Sequence, residues 1–108
     1  IDVGGTVEFL GLGADHTCVV LAGKTVKCWG QNGHGQVGDG GTDNVNSGPV
    51  TIGVGLTTLA ELALGERFTC MSFADNTATC WGKNSDGQLG GGSEIGTGTQ
   101  LAPVSVLL

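Results

Sequence analysis

The side chains best suited to redox, metal or nucleophilic chemistry in this chain are its four cysteines and two histidines. The cysteines form two pairs with the same spacing, Cys18 with Cys28 and Cys70 with Cys80, and each pair lies symmetrically about a short polar turn. Residues directly opposite each other on antiparallel strands have Cα atoms about 4.5 to 5.5 Å apart, which a disulfide can span. The spacing therefore predicts two disulfides, each of which staples one β-hairpin.

Two other interpretations of the cysteines stay open at this level. Structural zinc sites use closely spaced pairs such as C-x2-C, and the longer spacing here, with no paired histidines, matches that pattern poorly. Free cysteines packed as small core residues are the second alternative, since cysteine is among the most buried residue types. If the disulfides form, the protein belongs in an oxidising compartment, so we predict a secreted protein, extracellular or periplasmic.

The two histidines, His16 and His34, could act as catalytic bases. His16 lies two residues before Cys18, so a cysteine–histidine dyad is conceivable. The hairpin disulfide needs the same cysteine, however, and the sequence holds no other constellation of acid, base and nucleophile. We therefore predict that the chain is not an enzyme and that both histidines are packed or lie at the surface.

Glycine-rich loops after each tryptophan are the places where a ligand or partner could be contacted. The candidate binding residues of these loops and of the longer connections after them are Asn32, His34, Asp39, Asp43, Asn44, Asn84, Asp86 and Glu94. Asp39, Asp43 and Asn44 could offer oxygen atoms to Ca²⁺, but their spacing matches no established calcium loop. Short Asx side chains also stabilise turns by bonding their own backbone. We therefore predict neither a metal nor another cofactor.

The tryptophans, Trp29 and Trp81, end the second stapled strand of each hairpin. An exposed tryptophan in this position could stack against a sugar ring. Because both occupy the same place in a repeated pattern, we favour a packing role for them.

An internal repeat sets the elements that position these residues. Cysteine, tryptophan, asparagine and a GQ-x-G segment recur 52 residues further along, as in the strings CWGQNGHGQVGDG and CWGKNSDGQLGGG. Repeats of about 40 to 50 residues built from short strands and glycine turns are typical of propeller blades. Strands are predicted over residues 7–12, 17–21 and 25–29, and again over 59–64, 69–73 and 77–81. The predicted fold class is all-β, with two propeller-type blades that are each a four-stranded antiparallel sheet.

The ends of the chain are out of phase with the repeat. Residues 49–52 correspond to 103–106, whereas the chain begins at a position that corresponds to Gly53. We therefore expect residues 1–52 to form a first blade that lacks its leading strand, and residues 53–108 to form a second blade. The last strand would belong to the next blade; its residues are Pro103, Val104, Ser105, Val106, Leu107 and Leu108. Strand exchange between neighbouring chains would then complete the blades, head to tail, in a ring or a filament.

Charge and hydropathy limit the kinds of partner. Four basic residues against ten acidic ones give a net charge of −6, which repels a nucleic-acid backbone. No apolar stretch approaches the roughly 20 residues that a membrane helix needs. We predict that the partners are copies of the chain itself or another protein, with no nucleic acid and no membrane insertion.

The two CWG strings, with their shared asparagine and GQ-x-G segment, resemble the repeats of the regulator of chromosome condensation family, in the cysteine-paired form of bacterial secreted proteins. This resemblance implies four-stranded blades of a propeller that usually has about seven of them and binds other proteins through its loops. We expect a non-catalytic extracellular structural or protein-interaction protein that assembles through its C-terminal strand. The alternative is a protein-binding module, such as an inhibitor or a lectin, excised from a longer seven-bladed propeller.

Overall fold

A computed structural model of the protein describes residues 3–52, 59–84 and 99–106. All of the regular structure in these ranges is β-strand. The strands are β1 (Val7–Leu12), β2 (His16–Leu21), β3 (Val26–Gly30), β4 (Val45–Ile52), β5 (Leu59–Leu64), β6 (Phe68–Phe73), β7 (Ala78–Gly82) and β8 (Gln100–Val106). In the part of the chain so described, we find no helix of the length and hydrophobicity needed to cross a bilayer.

The strands form two four-stranded antiparallel sheets, β1-β2-β3-β4 and β5-β6-β7-β8. Each strand pairs with its neighbour in sequence, so both sheets are simple meanders. The tight turns of the central hairpins place Lys24 and Asn76 at φ values of 64° and 67°. A residue in the left-handed region at the end of the loop is typical of three-residue hairpin turns. The predicted fold class of two four-stranded blades is therefore confirmed, with the six predicted strands shifted by at most one residue.

The hydrophobic core lies between the two sheets. One face of the first sheet contributes Cys18, Val20, Val26, Cys28 and Ile52 to a single buried cluster, together with Val37 from the loop after β3. The second sheet contributes Met71, Phe73 and Trp81 to the same cluster. The two blades thus stabilise each other, because neither can bury an apolar face alone.

The predicted position of the last strand is wrong. Strand β8 pairs with β7 of its own sheet, with Val104 opposite Cys80. Strand β4 pairs with β3 in the same way, with Val50 opposite Cys28. Residues 103–106 therefore complete the second blade instead of starting another one, and the first blade lacks no strand. Leu107 and Leu108 lie outside the described residues.

The loop between β3 and β4 explains why the chain returns to its own sheet. The amide nitrogen of the fully buried Asn32 side chain donates to the carbonyl oxygens of Gly41 and Asp43 at 3.0 and 3.1 Å. The main-chain N–H of Asn32 donates to Oδ1 of Asn44 at 2.9 Å. These bonds fold the loop back beside the end of β3, so that the following strand runs antiparallel to it. Proline is tolerated at Pro49 because β4 is an edge strand.

Candidate functional site

Both predicted disulfides are present. Cys18 bonds to Cys28 and Cys70 bonds to Cys80, with Cα atoms 4.1 Å apart in each pair. The two cysteines of each pair lie directly opposite each other across a hairpin. No cysteine is free, so the zinc and free-thiol interpretations are wrong and Cys18 cannot act as a nucleophile.

Each sheet has two faces, which the strand register defines because directly opposite residues share a face. The face that we call the rear face carries the disulfide, with Gly11 in register with Cys18 in the first sheet. The face that we call the front face carries the tryptophan, with Leu12 and Trp29 both in register with Thr17. In the second sheet the rear face carries Ala63, Cys70 and Cys80, and the front face carries Leu64, Thr69 and Trp81.

The rear face of the first sheet packs against the front face of the second. A Cβ atom built on Gly11 would lie 2.5 Å from a methyl carbon of Leu64 and 3.1 Å from a methyl carbon of Leu62. The two leucines therefore lie directly over the glycine. The absence of a side chain at Gly11 is what allows this close approach of the sheets.

The loop after β3 fastens this interface with hydrogen bonds. The indole Nε1 of Trp81 donates to the main-chain oxygen of Gln36 at 2.9 Å, and the hydroxyl of Thr69 donates to the same oxygen at 3.0 Å. All three residues are buried. In addition, the indole ring lies against Gly38, where a Cβ atom would come within 2.5 Å of Nε1. A loop of the first blade thus holds the tryptophan of the second.

His16 extends this network across the two sheets. Its Nε2 lies 2.9 Å from the Thr69 hydroxyl. Since the hydroxyl proton is directed to Gln36, Nε2 of the histidine donates to Thr69, and the buried Nδ1 has no hydrogen-bond partner among the described residues. Burial lowers the pKa of His16, although a backbone contact with Phe68 and the charge of Asp15 act in the opposite direction. His16 is therefore a packed, neutral histidine of the blade interface.

The predicted binding loop is organised mainly around one buried amide. Oδ1 of Asp39 accepts from the side chain of Asn32 at 2.9 Å and from the Gly41 N–H at 3.1 Å. Oδ1 of Asn32 accepts from Val37 N–H at 2.9 Å. The side chain of Asn32 is fully buried and cannot reach a ligand, and Asn84, its repeat counterpart, is fully buried as well. Both were predicted as binding residues; the hydrogen bonds of Asn32 give it a structural role, and the binding role of Asn84 stays a prediction.

The other predicted binding residues have different surroundings. Asp39, Asp43 and Asn44 are exposed, and Nε2 of His34 lies 3.0 Å from Nη1 of Arg67 on the second blade. Asp86 and Glu94 lie outside the described residues. Within the described ranges, no three histidine, cysteine, aspartate or glutamate side chains gather into a group that could hold a metal ion.

The front face of the first sheet is open along β1, whereas Val19 and Leu21 of β2 are buried and residues 3–5 lie against that part of the face. Its strand β1 exposes three large apolar side chains, Val7 at 43%, Leu10 at 60% and Leu12 at 67%. Trp29 is only partly buried, and no acceptor for its indole N–H exists among the described residues. Its counterpart Trp81 has 0% exposure. The difference follows from the blade that lies in front of the second sheet, since in the described part of the chain no blade lies in front of the first.

The rear face of the second sheet is open along β5, where Glu61 and Ala63 are exposed, whereas Ala78 and Cys80 of β7 are buried. A cavity of about 270 Å³ is lined by Glu61, Ala63, Cys70, Met71, Ser72, Ala78 and Cys80. In the first sheet the counterparts of several of these residues are larger apolar side chains, such as Val20 for Ser72 and Val26 for Ala78. The cavity therefore arises because the second sheet has small residues at these rear-face positions. The first sheet has larger side chains there, which the second blade covers.

Sequence reasoning missed these two faces, although a signal for them was available. The repeat offset relates Leu10 to Leu62 and Leu12 to Leu64. Because Leu62 and Leu64 pack against the first blade, Leu10 and Leu12 present the same kind of apolar surface. The hydrogen bonds among His16, Thr69 and Gln36 were also missed, because they join residues of different repeats.

Comparisons with known proteins agree with this geometry. The family model of the regulator of chromosome condensation (RCC1) repeat matches residues 7–36 and 60–88. A curated relative, the RCC2 homolog of Danio rerio, is 28% identical over 93 residues, which are 86% of this chain and 18% of that protein. The chain therefore spans about a fifth of that relative's length.

Solved structures with the same architecture are similar in fold. The crystal structure of Kap60 bound to yeast RCC1 (Prp20) contains a chain that superposes with a TM-score of 0.80 at 16% identity, covering 93% of this chain and 25% of that one. Human WBSCR16 superposes with a TM-score of 0.78 at 22% identity, covering 100% of this chain and 27% of that one. With two matched repeats, two blades of the corresponding fold and the paired cysteines in place, the chain belongs to the regulator of chromosome condensation (RCC1) repeat family.

Proposed function

We propose that this chain is a non-catalytic protein-interaction module that works outside the cytoplasm and associates with copies of itself head to tail. One observation carries the proposal: the interface between its two blades joins unlike faces, the rear face of one and the front face of the other. Such a contact leaves a front face and a rear face unused at opposite ends. Contacts between unlike faces propagate, and they generate a ring or an open filament.

This route of assembly differs from strand exchange. Because β8 is hydrogen-bonded within its own sheet, the described residues hold no surplus strand for a neighbour to accept. Sheet faces, not strand edges, are the apolar surfaces left open in the described part of the chain. Association through faces is therefore the form of self-assembly that we propose.

The two disulfides support an extracellular or periplasmic location. Disulfides persist in oxidising compartments and are rare where thiol reductants are abundant. Fractionation of the producing cells, followed by alkylation without a reductant, tests this part of the proposal. We expect the protein in the secreted fraction with no labelled thiol, and a cytoplasmic protein with labelled cysteines would contradict it.

The surroundings of the titratable groups support a non-catalytic role. His16 is buried among structural partners, and Cys18 is in a disulfide. General acid–base catalysis needs a titratable side chain within reach of a substrate. An activity dependent on His34 or on the loop carboxylates would overturn this part of the proposal.

A second candidate is a protein-binding module of a longer propeller, for example an inhibitor or a lectin. The chain covers about a quarter of the propellers that it resembles. One of those structures is of yeast RCC1 bound to Kap60, and another study of Prp20p from Saccharomyces cerevisiae concerns its binding to Gsp1p and histones. Further blades encoded on either side of residues 1–108 would favour this candidate.

Sedimentation velocity on the oxidised chain separates the two candidates. Self-assembly predicts a weight-average mass that rises with concentration above the 10.8 kDa of a single chain. A chain that stays monomeric from micromolar to millimolar concentration would exclude self-assembly and leave the module of a longer propeller. Electron microscopy of the assembled material then tells rings from filaments.

A further inference from the structure

We propose, building on the function above, that the front face of one copy docks on the rear face of a second copy in the geometry that joins the chain's own two sheets. Leu10 and Leu12 of one copy would cover Ala63 of the other, as Leu62 and Leu64 cover Gly11 within the chain. The occupant of each open face is thus a second copy of this chain.

The front face has the apolar surface that this docking needs. Leu62 and Leu64 pack against the core cluster, whereas their counterparts Leu10 and Leu12 are 60% and 67% exposed. Clustered exposed apolar side chains on one strand mark a surface that another protein covers. Trp29 lies in register on the same face, and its indole N–H has no protein acceptor among the described residues, whereas the indole of Trp81 donates to Gln36 inside the interface.

The rear face has the complementary shape. Its cavity of about 270 Å³ lies where the small side chains of Ala63, Ser72 and Ala78 surround the second disulfide. The floor of this cavity is the repeat counterpart of the surface on which Leu62, Leu64 and Met71 rest in the first blade. A leucine-rich front face is therefore of the right chemistry to fill it.

The charges of the two faces are also complementary. Glu61 is exposed at the rear face, beside Ser72. Lys27 lies on the front face, in register with Val19; it is half-buried, and its ammonium donates to the main-chain oxygen of Val3 at 3.0 Å. At the interface between the chain's own blades these two positions are uncharged, because Phe9 corresponds to Glu61 and Thr79 corresponds to Lys27. A carboxylate on one open face and an ammonium on the other favour contact between unlike ends over contact between like ends.

The contact between copies differs from the interface between the chain's own blades in two ways that set its strength. Ala63 stands where the first blade has Gly11, so its methyl group meets the incoming Leu12. The conflicting atom would be a methyl carbon at the end of a leucine side chain, which can rotate away. Ser72 also contributes less apolar surface than Val20. We therefore expect the contact between copies to be weaker than the contact between blades, and reversible on dilution.

Complementary variants test the proposal. Leu12→Asp disables the front face, and Ala63→Asp disables the rear face; both positions are exposed, so neither change affects the core. Each variant alone should associate about 100-fold more weakly than the wild-type chain. An equimolar mixture should form a dimer of two 10.8 kDa chains and nothing larger, because one intact front face and one intact rear face remain.

A variant that associates more strongly provides a second test of the proposal. Ala63→Gly recreates the clearance found at Gly11 and should lower the dissociation constant about three- to tenfold. Ala22→Asp, in the exposed β2–β3 turn, adds the same charge away from both faces and should associate like the wild type. Far-UV circular dichroism and the absence of labelled thiols confirm that each variant is folded.

The outcomes separate this inference from the function on which it rests. If the wild-type chain assembles but Leu12→Asp and Ala63→Asp assemble equally well, the docking faces are wrong while self-assembly stands. If the two variants are monomeric alone and form no dimer when mixed, the pairing of front with rear is wrong. If the wild-type chain itself is monomeric throughout, both self-assembly and this docking mode are overturned, and the faces belong to other blades or to a foreign protein.

Discussion

The indole nitrogen of Trp81 lies 2.9 Å from the main-chain oxygen of Gln36, so that a loop leaving one blade holds the tryptophan of the next. Trp29 has the same place in its own blade and no such acceptor among the described residues. The pair shows how an identical motif acquires two different environments, one inside a blade interface and one at an open face.

Replacing Trp81 should therefore cost more stability than replacing Trp29. Trp81→Phe removes a buried hydrogen bond and part of a buried side chain, and we expect the free energy of unfolding to fall by about 1 to 3 kcal/mol. Trp29→Phe, the matched control, should cost less than 1 kcal/mol in the monomer. Urea denaturation at low protein concentration measures both. Equal losses would contradict the difference in burial between the two tryptophans.

The two disulfides should contribute unequally to stability. Each closes a loop with a sequence separation of 10 residues, which chain entropy values at about 2.7 kcal/mol. Cys18 and Cys28 also have 0% exposure between the sheets, whereas Cys70 is partly exposed on the open rear face. We expect the double alanine variant of the first pair to lose more free energy of unfolding than that of the second, because it also leaves a cavity. An equal loss would show that packing around the first bridge adds nothing.

The buried histidine should make stability depend on pH. Burial lowers the pKa of His16 in the folded protein below its value of about 6.5 in the unfolded chain. Between these two values the unfolded chain binds more protons than the folded one, so stability is complete above about pH 7 and falls as the pH drops below 6.5. Denaturation midpoints measured at pH 8, 7, 6 and 5 should show this loss.

His16→Phe is the control for this pH dependence, because Phe68 occupies the corresponding position in the second blade. The variant should keep its stability nearly constant over the same range. His34→Phe, which changes the half-buried histidine of the loop after β3, should leave the wild-type dependence in place. A dependence that persists in His16→Phe would assign it to another group.

The Asn32 side chain should be the most sensitive position of the β3–β4 loop. Asn32→Asp keeps the oxygen that accepts from the Val37 N–H. It replaces the amide group that donates to Asp39 with a second carboxylate oxygen, so that two carboxylates face each other in a buried place. We expect a loss of about 3 kcal/mol or more, since an uncompensated buried charge is costly. Asn46→Asp, an exposed neighbour in β4, should cost less than 1 kcal/mol. Unfolding measured above pH 7 tests both, and a tolerated Asn32→Asp would contradict the role given to this amide.

The local structure of the chain could be predicted because it depends on neighbours in sequence. Cysteines placed symmetrically about a turn can only face each other if the segment is a hairpin, and the pairs Cys18–Cys28 and Cys70–Cys80 formed as the spacing indicated. The repeat likewise predicted two four-stranded sheets. These features follow from alternation, turn chemistry and cross-strand distance, all of which are written along the chain.

The repeat could not show which blade takes a strand that lies between two copies. Residues 49–52 and 103–106 correspond whether they end one blade or begin the next. In the first blade, hydrogen bonds of Asn32 hold the long loop beside the end of β3, so that residues 49–52 pair with β3. Asn32 itself was predicted as a binding residue because its burial depends on atoms many positions away.

Sequence by itself determined the strands, the pairing of the cysteines and the alternation that gives each sheet two faces. Only the tertiary structure decided that Leu62 and Leu64 are covered while Leu10 and Leu12 are exposed, and that β8 closes its own blade. The physical reason is that alternation and turn geometry are local properties of the chain. Burial instead depends on which surface lies opposite, and repeated residues share a sequence without sharing a neighbour.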